Sequence, residues 1–334
     1  MPKTKNRVGI IGVYLGKFPE YMDLWLKSCA YNPTVDFLIF TDARLEHHPE
    51  NVYIIPTTLA DIQKRASEIL GFSCSLERPY KLCDYKVIYG LIFQDYVATY
   101  DYWGHCDFDL IFGDLQGFFD RYNLYAYDRF HALGHLSLYR NTAEVNERFR
   151  LDGASHDYKT VYSSDRIFVF DEMPGMTALY LRKGYPFFTK NIYADIASIY
   201  KRFRIIEEYS LDKKPVNYPK QIFYWDNGKC YRACFKKKRL CKEEYQYIHF
   251  KKRGNLPFSF NPAATSAFYI TPKGFFEKTG EVTPEIIDRL NPYTPLAELV
   301  EFLKYYKTLI PGKICRLSPK RLIPTLKRIL KKRG

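Results

Sequence analysis

The stretch "RVGIIGVYLG" (Arg7–Gly16) decides the predicted fold. It is a short apolar run that ends in glycine, which is typical of a strand buried in a parallel sheet. A segment with helical spacing follows and is stopped by Asn32-Pro33, and "VDFLIFTDA" (Val35–Ala43) then reads as a second strand. A third strand at "NVYIIPTT" (Asn51–Thr58) and a helix at "LADIQKRASEILG" (Leu59–Gly71) continue the alternation. This order predicts an α/β fold, an open, mostly parallel twisted sheet flanked by helices.

The size and composition of the chain predict a packed protein. Its 334 residues suffice for one large α/β domain with extensions or for two small domains. Hydrophobic residues make up 46% and charged residues 26% of the chain, which argues against disorder. Aromatic residues reach 17%, a share that an aromatic core explains and that also suits pockets for flat or sugar-like ligands.

Positive charge is concentrated at the C-terminal end of the chain. The net charge is +14, and residues 302–334 carry eleven basic residues and no acid. Leu and Ile residues are interleaved with these charges, which favours a basic amphipathic helical extension on an anionic membrane surface. A flexible basic tail or a nucleic-acid patch is the alternative, but the rest of the chain shows no nucleic-acid motif, so no nucleic-acid partner is expected. We therefore predict one main domain over residues 1–260 and a membrane-associating extension over 261–334.

The remaining composition bears on the compartment. The chain begins without an apolar run long enough for a signal peptide, and no apolar stretch approaches the roughly 20 residues of a membrane-spanning helix. The eight cysteines are then expected to be reduced thiols, and the spacing of Cys230, Cys234 and Cys241 lacks a tight pair typical of zinc. These features predict a cytoplasmic protein that is peripheral on the cytoplasmic face of the inner membrane.

Two carboxylates interrupt an otherwise apolar segment, "DYWGHCDFDLIFGDL" (Asp101–Leu115). Asp107 and Asp109 lie two residues apart, so strand alternation places both side chains on one side. Asp42 follows another strand, and ligands of open parallel sheets bind outside the carboxyl ends of the strands. Two adjacent carboxylates repel each other unless a divalent cation lies between them, and oxygen ligands favour Mg²⁺ or Mn²⁺.

The ordered pattern of motifs resembles a known enzyme class. "HCDFDLIFG" is similar to the D-x-D motif of GT-A glycosyltransferases, which use nucleotide-sugar donors. The wider pattern "PYKLCDYK…YG…YWGHCDFDLIFGDL…LGHLSLYRN…FDE…YIHFKKR" resembles a poorly characterised bacterial glycosyltransferase family of polysaccharide biosynthesis, over about Val8 to Arg253. The resemblance implies a metal-dependent transfer of a sugar from a nucleotide sugar, with a UDP-sugar as the expected donor. The implied acceptor is a lipid-linked saccharide or glycan of the cell surface, such as O-antigen, capsule or lipopolysaccharide.

The resemblance also implies roles for individual residues. Asp107, Asp109 and His249 would hold Mn²⁺ or Mg²⁺ at the donor's diphosphate, and a base of the run Lys251–Arg253 would contact the phosphates. Asp42 would contact uracil or ribose. The residues implied to bind the nucleotide-sugar donor are Gly12, Tyr14, Asp42, Lys81, Asp84, Asp107, Lys251 and Arg253.

The catalytic residues implied by the resemblance lie in "FDE". Asp171 or Glu172 would accept the proton of the acceptor hydroxyl in an inverting enzyme, or would hydrogen-bond the donor sugar in a retaining one. His135 and Arg140, in "LGHLSLYRN", are candidates for the sugar or acceptor side. The stereochemical outcome stays open.

Each assignment has a structural alternative. Asp107 and Asp109 could cap a helix and pair with Arg129 or Arg140, and Asp42 and Asp114 could be helix N-caps. Lys81 and Lys86 could be solvated surface residues. At the level of function, a sugar nucleotidyltransferase would need a loop of the type G-x-G-x-R, which "GIIGVYLGKFPE" lacks. A non-catalytic glycan- or membrane-binding protein on the same fold would be expected to have lost one of the paired carboxylates.

Overall fold

The computed structural model describes residues 6–207, 211–237, 239–251 and 256–309, with side chains as far as Tyr305. The strands of these residues are β1 Val8–Tyr14, β2 Val35–Thr41, β3 Val52–Pro56, β4 Tyr102–Cys106, β5 Leu110–Phe112, β6 Arg129–Phe130, β7 Leu136–Arg140, β8 Phe187–Phe188, β9 Ala194–Asp195, β10 Gln221–Asp226, β11 Lys229–Lys236, β12 Arg239–Tyr245, β13 Tyr247–His249, β14 Ala267–Thr271 and β15 Gly274–Glu277. The α-helices are α1 Met22–Ala30, α2 Leu59–Leu70, α3 Leu82–Tyr85, α4 Tyr89–Ile92, α5 Gln94–Val97, α6 Leu115–Arg121, α7 Ala143–Glu147, α8 Tyr158–Tyr162, α9 Ala178–Lys183, α10 Pro284–Leu290 and α11 Pro295–Leu309.

A seven-stranded sheet forms the centre of the molecule, in the order β3-β2-β1-β4-β7-β6-β8. The β3-β2, β2-β1, β1-β4 and β6-β8 pairs are parallel, and the two pairs that involve β7 are antiparallel. Most residues of β1 and β2 are buried because side chains pack against both faces of this sheet. The predicted α/β class with a mostly parallel sheet is confirmed.

Helix ends and turns form where the sequence contains the residues typical of them. Helix α2 begins with a capping box between Thr58 and Asp61 and ends at Gly71, whose φ of 77° is left-handed. The sequence "QIFYWDNGKCYRACF" (Gln221–Phe235) predicts a hairpin with its turn at Asp226-Asn227-Gly228, and Asn227 and Gly228 do join β10 to β11, with positive φ at both residues. This geometry is typical of two-residue hairpin turns because it matches the twist of the strands.

A second, antiparallel sheet has the order β12-β11-β10-β14-β15. Its last two strands extend from Ala267 to Glu277, and β14 pairs directly with β10. The expected domain boundary at residue 260 would divide this sheet. The described part of the chain therefore continues the same packed body beyond residue 260.

A third, small sheet has the order β5-β13-β9 and brings distant parts of the chain together. β13 pairs antiparallel with β5, so that His249 lies opposite Leu110, the residue after Asp109. It also pairs in parallel with β9, which places His249 opposite Asp195. This sheet determines the positions of three polar side chains that sequence separates by up to 140 residues.

The first turns of α11 contact the body of the protein through acidic residues. Glu298 forms ion pairs with Arg202 and Arg204, and Glu301 accepts a hydrogen bond of 3.0 Å from the backbone N–H of Lys201. Within the described residues, no helix combines the length and apolarity that crossing a bilayer requires. Most of the basic segment predicted to bind membranes, residues 310–334, lies outside the described residues.

Candidate metal centre

Asp107 and Asp109 lie in the link between β4 and β5, where the chain passes from the central sheet to the small sheet. The N–H of Asp107 donates a hydrogen bond of 2.9 Å to the carbonyl oxygen of His135 on the neighbouring segment. Between the two acids, Phe108 is buried and its ring lies 5.0 Å from that of Trp25. Residues 107–109 form a bend rather than a strand, so the two carboxylates come together through the turn of the chain and not through the strand alternation that was predicted.

The structure brings together the three residues predicted to hold a cation. One ligand atom each from Asp107, Asp109 and His249 lies within 4.8 Å of the others. Asp109 and His249 are buried, whereas the Asp107 side chain keeps 30% of its exposure. Two carboxylate oxygens and one imidazole nitrogen could hold a divalent cation, and the exposed edge at Asp107 leaves room for a further ligand.

The imidazole of His249 is held from both sides. Its Nδ1 lies 2.8 Å from Asp195 Oδ1, and its Nε2 lies 3.4 Å from Asp109 Oδ1. Burial lowers the pKa of His249, but Asp109 and Asp195 more than offset it and raise that pKa to about 10. A carboxylate on one ring nitrogen is the usual outer partner of a metal-binding histidine, because it fixes the orientation of the other nitrogen.

A second group of possible ligands, His135, Asp195 and His249, overlaps the first. The Oδ2 atom of Asp195 already lies 3.2 Å from Lys251 Nζ, and its Oδ1 atom is bonded to His249. The negative charge of Asp195 is thus balanced by neighbouring cations. The group with Asp107 is the more accessible of the two, because the Asp107 side chain keeps 30% of its exposure while all three members of the other group are buried, so we take Asp107, Asp109 and His249 as the candidate ligands.

Lys86 is a largely buried partner of the cluster. Its Nζ donates hydrogen bonds to Asp107 Oδ1 at 2.6 Å and to the carbonyl oxygen of Gly134 at 2.8 Å. The same atom lies 3.8 Å from Asp171 Oδ2. The alternative that Lys86 is a solvated surface residue is therefore wrong. Only 12% of its side chain is exposed, and its ammonium group lies between Asp107 and Asp171.

Asp171 and Glu172 lie beside this lysine, on the side of Gly134. Burial raises the pKa of Asp171 to about 7 against the opposing effect of Lys86, with a further increase from Glu172. Glu172 Oε1 accepts a hydrogen bond of 3.1 Å from the N–H of Gly134. A carboxyl group with a pKa near neutrality next to a charged cluster is a candidate for proton transfer.

The residues predicted from the first strand have different environments. The phenol of Tyr14 is half-buried and lies near the cluster. Its burial raises the pKa of Tyr14, and the negative charge of Asp109 raises that pKa further. A Cβ added to Gly12 would lie 2.7 Å from the Phe108 ring. This ring therefore occupies the space beside Gly12 in which the nucleotide was predicted to bind. Asp42 Oδ1 accepts a hydrogen bond of 2.6 Å from the N–H of Gly16, which stabilises the loop after β1 rather than capping a helix.

Lys81 and Asp84 form a structural ion pair. Both side chains are fully buried, with Lys81 Nζ 2.9 Å from Asp84 Oδ2. Lys81 also donates to two backbone carbonyl oxygens, and Asp84 accepts from the N–H groups of Phe168 and Phe170. The expectation that this pair contacts a donor is corrected, because the backbone of a neighbouring segment takes up its hydrogen bonds.

Of the remaining residues named from the sequence, Lys251 lies at the cluster and the others do not lie there or are not described. Lys251 contacts Asp195 at the cluster, whereas Arg253 lies outside the described residues. Arg140 pairs with Asp128 at 3.0 Å, away from the acids, and Asp114 caps α6 as its sequence context suggests. Sequence reasoning missed Asp195, because the two-residue strand β9 carries no recognisable signal.

The fold is similar to solved glycosyltransferase structures at low sequence identity. One is galactosyltransferase LgtC in complex with donor and acceptor sugar analogues, with 12% identity over 56% of this chain and 75% of that chain, and a TM-score of 0.32. An active-site mutant of LgtC gives 10% identity at the same coverage and TM-score. GlyE of Streptococcus pneumoniae TIGR4 gives 13% identity over 41% of this chain and 35% of that chain, with a TM-score of 0.25.

Sequence comparison identifies a family. No curated protein matches the chain. A family model matches residues 10–279, which include the central sheet, the candidate cluster and the five-stranded sheet. The chain therefore belongs to DUF6625, a family of unknown function.

Proposed function

We propose that this protein is a metal-dependent glycosyltransferase that transfers a sugar from a UDP-sugar donor to a lipid-linked or polysaccharide acceptor. The observation that carries the proposal is the convergence of Asp107, Asp109 and an oriented His249 on one point. These side chains offer two carboxylates and an imidazole to a divalent cation, which would displace the proton that Asp109 and Asp195 hold on His249. The sequence resemblance to enzymes with a D-x-D motif supports the same conclusion.

The chain's own residues would bind and balance the charge of a diphosphate. A cation held by Asp107, Asp109 and His249 would neutralise the leaving group. Lys251 adds positive charge from the side of Asp195, which lies against His249. Lys86 fixes one oxygen of Asp107 and leaves the other for the site. Preorganised charges of this kind stabilise the developing negative charge without reorganisation.

Asp171 and Glu172 remain the candidates for contact with the acceptor hydroxyl or the donor sugar. Asp171, with its pKa near 7, can accept a proton at neutral pH when Lys86 stabilises the carboxylate. Glu172 is fixed by Gly134 instead, which makes it the better candidate for holding a sugar hydroxyl. We propose Asp171 as the proton acceptor and Glu172 as the sugar-binding residue.

The site predicts that nucleotide binding depends on the cation. Melting temperatures should be measured for the wild type and the Asp109→Asn variant with UDP, GDP and CMP, each with and without Mn²⁺. A ligand that binds only the folded state raises its stability by mass action. We expect UDP to raise the melting temperature of the wild type only with Mn²⁺, and the variant to lose this effect.

Asp95→Asn serves as the matched control, because Asp95 is exposed and pairs with Arg65 on the surface. This variant should keep the full Mn²⁺-dependent stabilisation. The proposal is overturned when no nucleotide stabilises the wild type, or when Asp109→Asn retains the wild-type response.

A further inference from the structure

A groove of about 290 Å³ opens beside the candidate metal centre. Its walls come from the segment around β9, from residues 212–218 and from the five-stranded sheet. This volume lies at the small end of ligand pockets, which suits one or two sugar rings rather than a nucleotide sugar. Apart from Asp195, its lining residues lie outside the two groups of possible metal ligands.

The groove and the candidate metal centre share a wall. Asp195 lines the groove while its Oδ1 atom contacts His249. Tyr193 also lines the groove, and its ring lies 5.1 Å from that of His135 and stacks on Tyr247. A ligand in the groove would therefore lie next to the residues that hold the metal ligand His249.

The lining of the groove suits an uncharged, polyhydroxylated ligand. Three tyrosines, Tyr193, Tyr218 and Tyr245, provide flat apolar faces with polar tips. The charged lining residues are three acids and three bases, namely Asp195, Asp212, Glu243, Lys213, Lys214 and Arg232. Their formal charges cancel, so neither an anion nor a cation is favoured by the total, whereas sugar hydroxyls can both donate to and accept from such a surface.

One wall of the groove is preorganised by the sheet beneath it. Arg232 has 3% of its side chain exposed, forms an ion pair with Glu243 and donates a hydrogen bond of 2.7 Å to the carbonyl oxygen of Val216. The Tyr245 hydroxyl donates to the same carboxylate at 3.0 Å, and the Tyr218 ring lies 5.1 Å from the Arg232 guanidinium. Fixing side chains before binding reduces the entropic cost of ordering them.

We infer that this groove binds one neutral sugar unit of the glycan acceptor, with Tyr218 and Tyr245 as its principal contacts. The inference rests on the proposed function, because it places an acceptor next to the donor site. It adds the location of the acceptor subsite and the chemical class of its ligand, a neutral hexose unit.

Saturation-transfer difference NMR tests the inference directly. The probes are methyl glycosides of glucose, galactose, mannose and N-acetylglucosamine, each at millimolar concentration, with the full-length protein. At least one glycoside should give a difference signal in the wild type, and Tyr218→Ala should reduce it at least five-fold. Tyr245→Phe keeps the ring and removes the hydroxyl, so it should cause a smaller reduction.

Tyr53→Ala is the control, because Tyr53 is exposed on β3, outside the groove. Its difference signal should equal that of the wild type. The inference is overturned when no glycoside gives a signal, or when Tyr218→Ala and Tyr53→Ala give the same signal. The Mn²⁺-dependent response to UDP, measured on the same variants, separates this failure from failure of the proposed function, since the groove variants should keep that response.

Discussion

The Nδ1 atom of His249 lies 2.8 Å from the Oδ1 atom of Asp195, across a parallel pair of short strands. This contact leaves Nε2 as the nitrogen that faces Asp109. Because the orientation of a metal-binding imidazole depends on its outer hydrogen bond, Asp195 is a positioning residue for the candidate metal centre.

Replacement of Asp195 should weaken metal binding without removing a ligand. Asp195→Asn keeps the size of the side chain but loses the negative charge that holds His249. We expect the affinity for Mn²⁺ to fall by about 10- to 100-fold, as for other outer-shell substitutions. Isothermal titration calorimetry with Mn²⁺ alone measures this affinity. Asp288→Asn, at an exposed surface pair, should bind like the wild type, and equal affinities for all three proteins would contradict the positioning role.

Replacement of Lys86 should destabilise the folded protein. Lys86→Met leaves the carboxylates of Asp107 and Asp171 without their shared cation, and removal of one partner of a buried ion pair costs about 3 kcal/mol or more. Urea denaturation measures the change in the free energy of unfolding. The double variant Lys86→Met/Asp171→Asn should regain part of the loss, because it removes one of the two unpaired charges. A single variant as stable as the wild type would show that the lysine is not needed to balance these acids.

The internal pair of Lys81 and Asp84 should contribute to stability and not to donor binding. Lys81→Met should lower the free energy of unfolding by about 3 kcal/mol, because it leaves a fully buried carboxylate without its cation. Arg78→Met removes one partner of the exposed pair with Asp165 and should cost less than about 1 kcal/mol. Urea denaturation at pH 7.5 compares the two. If Lys81→Met remains folded but loses the UDP response, the corrected assignment of this lysine fails.

His131 should make the protein sensitive to acid. Burial lowers the pKa of His131 to about 3, although its hydrogen bond to Gln246 opposes the change. The unfolded chain, with a pKa near 6.5, takes up the proton first, so stability is lost as the pH falls from about 6.5 towards 3. Between pH 6.5 and 5 this group alone accounts for about 2 kcal/mol.

The variant His131→Asn isolates this contribution, because Asn tolerates the left-handed φ of 75° at this position. Its free energy of unfolding should decrease less than that of the wild type over the same pH range. Urea denaturation at pH 7.5, 6.5, 5.5 and 5.0 gives the comparison. Parallel pH profiles for the two proteins would exclude a neutral buried His131 as a source of acid sensitivity.

The parts of the fold that sequence predicts are those with local causes. The strands β1 to β3 are apolar runs between turn signals, and α2 carries its own capping box, so each is encoded by adjacent residues. The five-stranded sheet was predicted only at its hairpin. The pairing of β14 with β10 has no local signal, which explains why the predicted boundary at residue 260 cuts through the sheet.

The candidate site divides in the same way. Asp107 and Asp109 are recognisable from their spacing, and His249 from its place in an ordered pattern of motifs. The position of Asp195 beside His249 depends on the pairing of the two-residue strand β9 with β13, 54 positions further along the chain. The sequence does not distinguish Lys86, which contacts the cluster, from Lys81, which does not. Whether a lysine contacts a site or supports a loop is decided by tertiary packing, which no spacing rule contains.

The small sheet β5-β13-β9 also bears on the order in which parts of the fold can form while the chain is being synthesised. Its strands come from residues 110–112, 194–195 and 247–249, so its contacts close long loops and are expected to form slowly. All strands of the central sheet are present once residue 188 has been made, whereas the candidate metal centre also needs His249. We therefore expect a nascent chain that can form the central sheet to contain Asp107 and Asp109 before their histidine partner has been added.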